Sequence, residues 1–159
     1  MVSTDNEKAA KYEQLLIQAE ALIDEQCGWV TNYANICAAI QQTFNHWWCG
    51  FYLINTAGKL ELGPFQGPVA CTLIDYGKGV CGTAWERKES IVVPDVHQFE
   101  GHIACSSESN SEIVVPLIIN GEIKGVLDID SRAFSAFDET DRVYLEKLLA
   151  IPAFQRVKI

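Results

Sequence analysis

Cys105 is the residue of this 159-residue chain that is best placed to act as a nucleophile. It lies in a loop that contains glycine and serine, and His102 stands three residues before it. A thiol reacts only when it has thiolate character and is accessible, and a histidine can favour the thiolate if the fold brings the two together. The alternative is a surface cysteine with no role, and local features leave both open.

Three carboxylates could complete this chemistry. Asp128 and Asp130 are two residues apart in a predicted strand, so their side chains leave the same face of the sheet. Like charges held side by side raise the pKa of one carboxyl group, and such a pair can hold a proton near neutral pH. Glu112, at the start of the neighbouring strand, is positioned to join them. The alternative is an acidic face in contact with water.

A thiolate beside carboxylic acids that can give up a proton suits the reduction of a sulfoxide. The thiolate attacks sulfur, the acid protonates the departing oxygen, and the cysteine is left as a sulfenic acid. A second thiol would convert that acid into a disulfide. Cys71 and Cys81 are the candidates, and the sequence brings neither within bonding distance. Trp48, Tyr52 and Trp85 are candidates for an apolar pocket wall, with core packing as the alternative for each.

The composition restricts the partners and the compartment. Twelve Lys and Arg against 21 Asp and Glu leave a net charge of −9, which disfavours nucleic acids and anionic membranes. The N-terminus is polar and acidic, unlike a signal peptide, and no apolar run reaches the length of a membrane helix, so we expect a cytoplasmic protein. Its six cysteines should then normally stay free, each as a small buried apolar residue or as a redox-active thiol, and the absence of Cys-x-x-Cys and His-x-x-x-His pairs argues against a metal site.

The elements that must position these residues predict one α+β domain over residues 1–159. Helical spacing of apolar residues and capping signals predict helices over about 5–26, 30–44 and 80–86 and from Asp138 onwards. Strands of an antiparallel sheet are predicted over 47–54, 59–65, 69–74, 90–94, 113–119 and 123–129. Cys27 and Cys37 should therefore be helix residues that face apolar surroundings, and Cys49 is expected in the core.

The segment over residues 95–111 shows little periodicity. A loop of that length in a compact domain is either disordered or a functional lid, and the presence of Cys105 and two histidines favours the lid. Cys71 is predicted on the strand over 69–74, and Pro116 predicts that its strand is at an edge or bulged. The glycine turn before the helix over 80–86 presents amide groups suited to an anion. A pocket should form between the sheet and these connections.

Six motifs stand in order along the chain. They are Trp47-Trp48-x-Gly-Phe51-Tyr52, Gly63-Pro64-Phe65-Gln66-Gly67, Gly77-x-Gly-Val-Cys81-Gly, Val93-Pro94-Asp95-Val96-His97, Gly101-His102-Ile103-Ala104-Cys105 and Ser111-Glu112-Ile113-Val114-Val115-Pro116. Together they closely resemble the free methionine-(R)-sulfoxide reductases, which are single GAF domains. The resemblance runs from the first helix to the last, and generic GAF domains lack three cysteines at these places.

The resemblance implies a GAF-like fold with about six antiparallel strands and a ligand pocket under the long loop. It implies that Cys105 attacks the substrate sulfur and that Cys71 or Cys81 resolves the sulfenic acid, with Cys71 preferred. Thioredoxin, itself reduced at the expense of NADPH, would reduce the disulfide, and no bound cofactor is implied. The carboxylates that hold the free amino acid and its sulfoxide oxygen correspond to Glu112, Asp128 and Asp130.

Two other functions stay open at this point. A ligand-sensing GAF module would bind a small molecule without chemistry, and a redox switch would use a Cys105 disulfide to alter an interaction surface. Ser106 stands where many relatives carry an acid, which bears on how Cys105 is tuned. The oligomeric state also stays open, although single GAF domains often pair through their terminal helices, so a homodimer is one expectation.

Overall fold

A computed structural model describes residues 4–159 as a six-stranded antiparallel sheet with helices on both faces. The helices are α1 (Thr4–Leu22), α2 (Trp29–Phe44), α3 (Gly79–Arg87), α4 (Glu139–Leu149) and α5 (Pro152–Gln155), with a 3-10 turn at Val96–Gln98. The strands are β1 (Trp48–Ile54), β2 (Leu60–Gln66), β3 (Leu73–Ile74), β4 (Ile91–Val93), β5 (Ser111–Ile119) and β6 (Glu122–Ser131). Their order in the sheet is β3-β2-β1-β6-β5-β4. The predicted α+β class and the six strands are confirmed.

Alternation along the central strands gives the sheet two different faces. Leu127 and Ile129 of β6 belong to the apolar core on one side, whereas Asp128 and Asp130 line a cavity on the other. The strand register aligns the polar set, because Glu112 of β5 lies directly opposite Asp130. The spacing in the sequence predicted this shared face for the two aspartates.

The first face is covered by α1, α2, α4 and α5. Tyr33 of α2 stacks on Phe51 of β1, with ring centroids 4.5 Å apart, and on Phe154 of α5 at 5.0 Å. Burying a side chain of this size contributes roughly 1.5–3 kcal/mol. Tyr12 of α1 donates a hydrogen bond to Asp141 of α4 at 2.6 Å, which connects an N-terminal helix to a C-terminal one. This face therefore holds most of the packing that keeps the fold together.

The turn between α1 and α2 differs from the prediction. The first helix ends at Leu22 rather than near residue 26, and Cys27 lies in the turn, not in a helix. The buried side chain of Asn32 accepts a hydrogen bond from the Asp24 amide and donates to the carbonyls of Asp24, Cys27 and Gly28. These contacts stabilise the turn against continued helix, and no helical period could reveal them. Cys37 and Cys49 are fully buried, as predicted.

The strand that was predicted over 69–74 is also shorter than expected. Only Leu73 and Ile74 pair with β2, so Cys71 lies in the β2–β3 loop and not on a strand. Pro116 fits its prediction, because β4 pairs only with residues 112–114 of β5 and leaves the rest of that side of β5 as an open edge. Asp138 caps α4 through a capping box with Asp141, which confirms the predicted start of this helix.

Among residues 4–159, no helix combines the length and the apolar character that crossing a membrane would require.

Candidate active site

A cavity of about 590 Å³, including its open mouth, lies on the second face of the sheet. Its floor is formed by β1, β5 and β6, and its sides by the start of α3, the β2–β3 loop and residues 95–110, which we call the lid. Among the side chains that border it are Trp47, Trp48, Tyr52, Val69, Lys78, Cys81, His102, Ile103, Cys105, Ser106, Ser109, Glu112, Asp128 and Asp130. The predicted pocket between the sheet and its connections is therefore present.

Three acids stand together on the floor of the cavity. Glu112 and Asp128 are only 5% and 7% exposed, and Asp130 accepts a hydrogen bond from the Ser109 hydroxyl at 2.7 Å. Burial, with a smaller contribution from the charge of Asp130, raises the pKa of Glu112 to about 8. Burial and the neighbouring carboxyl groups likewise raise the pKa of Asp128 and of Asp130 well above the ordinary value. The surroundings of all three carboxyl groups therefore favour their protonated forms.

Asp128 is the centre of this cluster. One of its carboxyl oxygens lies within 4.8 Å of a carboxyl oxygen of Glu112 and of the Cys81 sulfur. Two carboxyl groups can share a hydrogen bond only when one of them is protonated, which agrees with the raised pKa values. Its Oδ1 is buried and has no hydrogen-bond partner among residues 4–159. An unsatisfied buried oxygen of this kind is costly, so the site is suited to a ligand that brings a donor.

Cys81 borders the cavity from the first turn of α3, and its side chain is buried. Burial, followed by the charges of Asp128 and Glu112, raises the pKa of its thiol well above the ordinary value. One donor atom from each of these three residues lies within 4.8 Å of the others, a set that could hold a divalent ion. The spacing of these three residues along the chain did not indicate a metal site. All three groups favour their protonated forms, so a metal would first have to displace those protons.

Cys105 is joined to Cys71 by a disulfide, with the two Cα atoms 5.4 Å apart. The bond connects the lid to the β2–β3 loop at the border of the cavity. Tyr52 fixes the loop side of this connection, because its hydroxyl donates to the carbonyl of Cys71 at 2.9 Å. Cys81, the other candidate partner, keeps a free thiol. The two alternatives that the sequence left open thus have different positions: one thiol is bonded to Cys105 and the other faces the acids.

Trp48 provides the apolar wall, and Gly50 makes room for it. A Cβ atom at Gly50 would collide with the Trp48 ring and with Phe65. The Trp48 indole stacks on Phe65 with centroids 5.4 Å apart and donates to the carbonyl of Pro68 at 3.0 Å. Tyr52 lies next to it at 5.9 Å. Both side chains border the cavity, as expected from the sequence.

Trp85, by contrast, does not reach the cavity, contrary to the prediction. It lies at the distal end of α3 and packs edge-on against Tyr76, with centroids 4.8 Å apart. Cys81 occupies the first turn of this helix, and four residues further along the chain Trp85 is one turn away from the acids. The identity of an aromatic residue could not reveal which end of α3 approaches the sheet.

The lid contacts the sheet and its neighbouring residues at several points that the sequence did not predict. Trp47 donates from its indole to Ser106 at 3.3 Å, and the Arg132 guanidinium lies 3.6 Å above the Trp47 ring. Arg132 also pairs with Glu108 of the lid at 3.3 Å. His102 contacts the floor, where its Nε2 lies 3.6 Å from Oε2 of Glu112. Trp47 belongs to a motif that was noted in the sequence, but its contacts are with residues far along the chain.

Lys78 brings a positive charge to the same cavity. It directly precedes α3, and Gly79 begins that helix with a positive φ of 62° while Ile103 of the lid packs against it. The first amide groups of a helix favour anions, and a lysine beside them adds to this preference. The cavity therefore has an acidic floor and one basic corner.

Comparison with known proteins identifies the family. The family model for the GAF domain matches residues 33–151. The chain belongs to the GAF domain family. This GAF domain is 46% identical over 154 residues to the free methionine-R-sulfoxide reductase of Saccharomyces cerevisiae, covering 92% of this chain and 86% of that relative. It is 51% identical over 144 residues to GAF domain-containing protein A of Dictyostelium discoideum, covering 91% of each.

Solved structures agree with this assignment. The free methionine-R-sulfoxide reductase from Neisseria meningitidis, solved in complex with its substrate, is 48% identical and superposes with a TM-score of 0.89, covering 94% of this chain and 89% of that chain. Within the GAF domain family, this chain therefore belongs with the free methionine-R-sulfoxide reductases, as its six motifs predicted.

Proposed function

We propose that this GAF domain reduces free L-methionine-(R)-sulfoxide to methionine. The observation that carries the proposal is the position of Cys105, which borders the same cavity as Glu112, Asp128 and Asp130, three acids whose pKa values are raised by burial. A nucleophile and proton donors around one apolar-walled space are what sulfoxide reduction requires. The similarity to reductases from yeast and Neisseria meningitidis supports the same reaction.

The charges of the cavity favour a free amino acid. The substrate ammonium would lie against the acids, where it would promote ionisation of one carboxyl group and satisfy the unpartnered Oδ1 of Asp128. Its carboxylate would lie towards Lys78 and the start of α3, and its methyl group against Trp48. A peptide-bound methionine sulfoxide lacks both charges and would leave these groups buried and unpaired, which is costly.

The reaction then proceeds in three balanced steps. The Cys105 thiolate attacks the sulfoxide sulfur while Glu112 gives a proton to the oxygen, and the oxygen passes to the cysteine, leaving methionine, a sulfenic acid and a carboxylate. The Cys71 thiol displaces the oxygen as water and forms the disulfide. An external dithiol reduces that bond and returns both thiols. Cys81 is the weaker resolver, because the raised pKa of its thiol disfavours the thiolate.

We propose thioredoxin, kept reduced by NADPH, as that dithiol, in the cytoplasm and without a bound cofactor. The chemistry described above uses only thiols and carboxyl groups of the chain together with an exchangeable disulfide. Both Cys71 and Cys105 are partly exposed, so a protein thiol can approach the bond.

A coupled assay tests the proposal. Protein, thioredoxin, thioredoxin reductase and NADPH are mixed with separated R and S diastereomers of free and of N-acetylated methionine sulfoxide. We expect methionine formation and NADPH consumption only with the free R form, and none with Cys105→Ser. Cys27→Ser, which changes a thiol outside the cavity, is the matched control and should be fully active. Activity that survives in Cys105→Ser would exclude the proposed nucleophile, and consumption with peroxide alone would instead indicate a redox switch.

A further inference from the structure

His102 connects the lid to the acid cluster. Its Nε2 lies 3.6 Å from Oε2 of Glu112, and the side chains are 15% and 7% exposed. The same imidazole borders the cavity together with Cys105, which follows three residues later in the lid. His102 therefore contacts the acid and borders the same cavity as the nucleophile, and it is the more exposed member of its pair with Glu112.

The proposed chemistry creates a need for a proton transfer between those two groups. After each turnover Glu112 is a carboxylate, and reduction of the disulfide returns Cys105 as a thiol. The next turnover needs the opposite distribution, a thiolate and a carboxylic acid. Moving one proton from the Cys105 sulfur to the Glu112 carboxylate restores both groups at once, without any other proton source.

We propose that His102 carries this proton, taking it from the Cys105 thiol at one ring nitrogen and giving it to Glu112 from the other. The step breaks one S–H bond and forms one O–H bond, and the imidazole ends each cycle neutral. This inference rests on the proposed function, since it assigns how that same site is reset.

The surroundings of the ring suit this role. The titratable residues that share the cavity with His102 are Tyr52, Lys78, Cys81, Cys105, Glu112, Asp128 and Asp130. Burial lowers the pKa of His102, so at neutral pH the ring is neutral and has one nitrogen that accepts and one that donates. The raised Glu112 pKa of about 8 means that this carboxylate retains a proton at neutral pH once it receives one.

Steady-state kinetics of His102→Gln and His102→Gly test the inference. We expect kcat at pH 7 to fall about tenfold to a hundredfold, the range of an interrupted acid–base step, with KM for the sulfoxide unchanged. Added imidazole should restore most of the kcat of His102→Gly and should not affect His102→Gln. In a double-mutant cycle, His102→Gln combined with Glu112→Gln should be no slower than Glu112→Gln alone.

His97 supplies the matched control. It is the other histidine of the lid, and its Nε2 lies 3.0 Å from Oδ1 of Asn110, away from the cavity wall. His97→Gln should keep the wild-type kcat. Circular dichroism of every variant separates loss of folding from loss of transfer, and His102→Asn provides a second replacement.

Any of three results would overturn the inference while the proposed function stands. One is a wild-type kcat in His102→Gln under conditions where Cys105→Ser is inactive. The others are a His102→Gly variant that does not respond to imidazole and one whose KM alone changes, which would assign His102 to lid packing. If the wild-type protein forms no methionine, the proposed function itself fails and this inference fails with it.

Discussion

The two faces of the sheet are built from alternate residues of the same strands, yet they have opposite characters. Towards α1, α2, α4 and α5, the side chains of Leu127 and Ile129 lie in a closed apolar core. Towards α3 and the lid, Asp128 and Asp130 lie in a cavity with Glu112 and contribute an unsatisfied oxygen, Oδ1 of Asp128. Neighbouring residues of β6 thus contribute alternately to the packed core and to the cavity.

The difference shows on which face this domain tolerates the destabilising burial of carboxyl groups. Burying carboxyl groups without full hydrogen bonding destabilises a protein, and the apolar face provides the stability that offsets it. Substitutions on the two faces should therefore have different effects. Changes on the face covered by α1, α2, α4 and α5 should alter the free energy of unfolding, and changes on the cavity face should alter catalysis.

The largest effect is expected on the apolar face covered by α1, α2, α4 and α5. Leu127→Ala removes a fully buried side chain from the core and should lower the free energy of unfolding by about 2–5 kcal/mol. Urea denaturation measures this loss, and activity per folded molecule should change little. A loss below about 1 kcal/mol would mean that this face contributes less than its burial indicates.

The adjacent residue should behave in the opposite way. Asp128→Asn keeps the size of the side chain but removes its acid, and we expect kcat to fall about a hundredfold. Its free energy of unfolding should be unchanged or somewhat higher, because replacing a buried ionisable group is often neutral or stabilising. Coupled NADPH consumption and urea denaturation of the same preparation check both parts. A variant that unfolds easily while remaining fully active would contradict the contrast between the faces.

The acids should also give the protein a distinctive pH dependence. Because the folded-state pKa of Glu112 is raised to about 8, the folded protein binds more protons than the unfolded chain between about pH 4.5 and 8. As far as Glu112 is concerned, stability should therefore be full below about pH 4.5 and should decrease by several kcal/mol as pH rises towards 8. Urea midpoints of wild type and Glu112→Gln measure this, and the slope should be shallower in the variant.

The smallest expected effect distinguishes two tryptophans. Trp48→Leu removes the ring that borders the cavity and should raise KM for the sulfoxide about tenfold, the scale of one apolar contact in a pocket. Trp85→Leu, which changes a ring outside the cavity, should alter KM less than about twofold. Equal effects of the two substitutions would restore the role that the sequence predicted for Trp85.

Local patterns were sufficient to predict much of this molecule. The period of two placed Asp128 and Asp130 on one face, and the Asn120-Gly121 turn predicted the hairpin that brings Glu112 opposite Asp130. Both signals depend on residues that are near one another in sequence, and the family motifs added Cys105 and its two companion cysteines.

The errors and omissions have a different origin. Trp85 was misplaced because a helix can turn either end towards the sheet, and α1 was extended too far because the contacts of Asn32 are between side chain and backbone. The contact of His102 with Glu112 and the contact of Trp47 with Ser106 join segments whose approach depends on the whole fold. Periodicity carries no information about such contacts.

The bond between Cys71 and Cys105 has a kinetic consequence under the proposed function. While it exists, the sulfur of Cys105 cannot attack the substrate, so extra substrate cannot hasten the next cycle. A reduced sample without an electron donor should yield a burst of one product molecule per chain and then stop. When substrate is plentiful and the dithiol is scarce, throughput would be governed by the supply of dithiol, and the protein would work only as fast as its surroundings can return electrons to it.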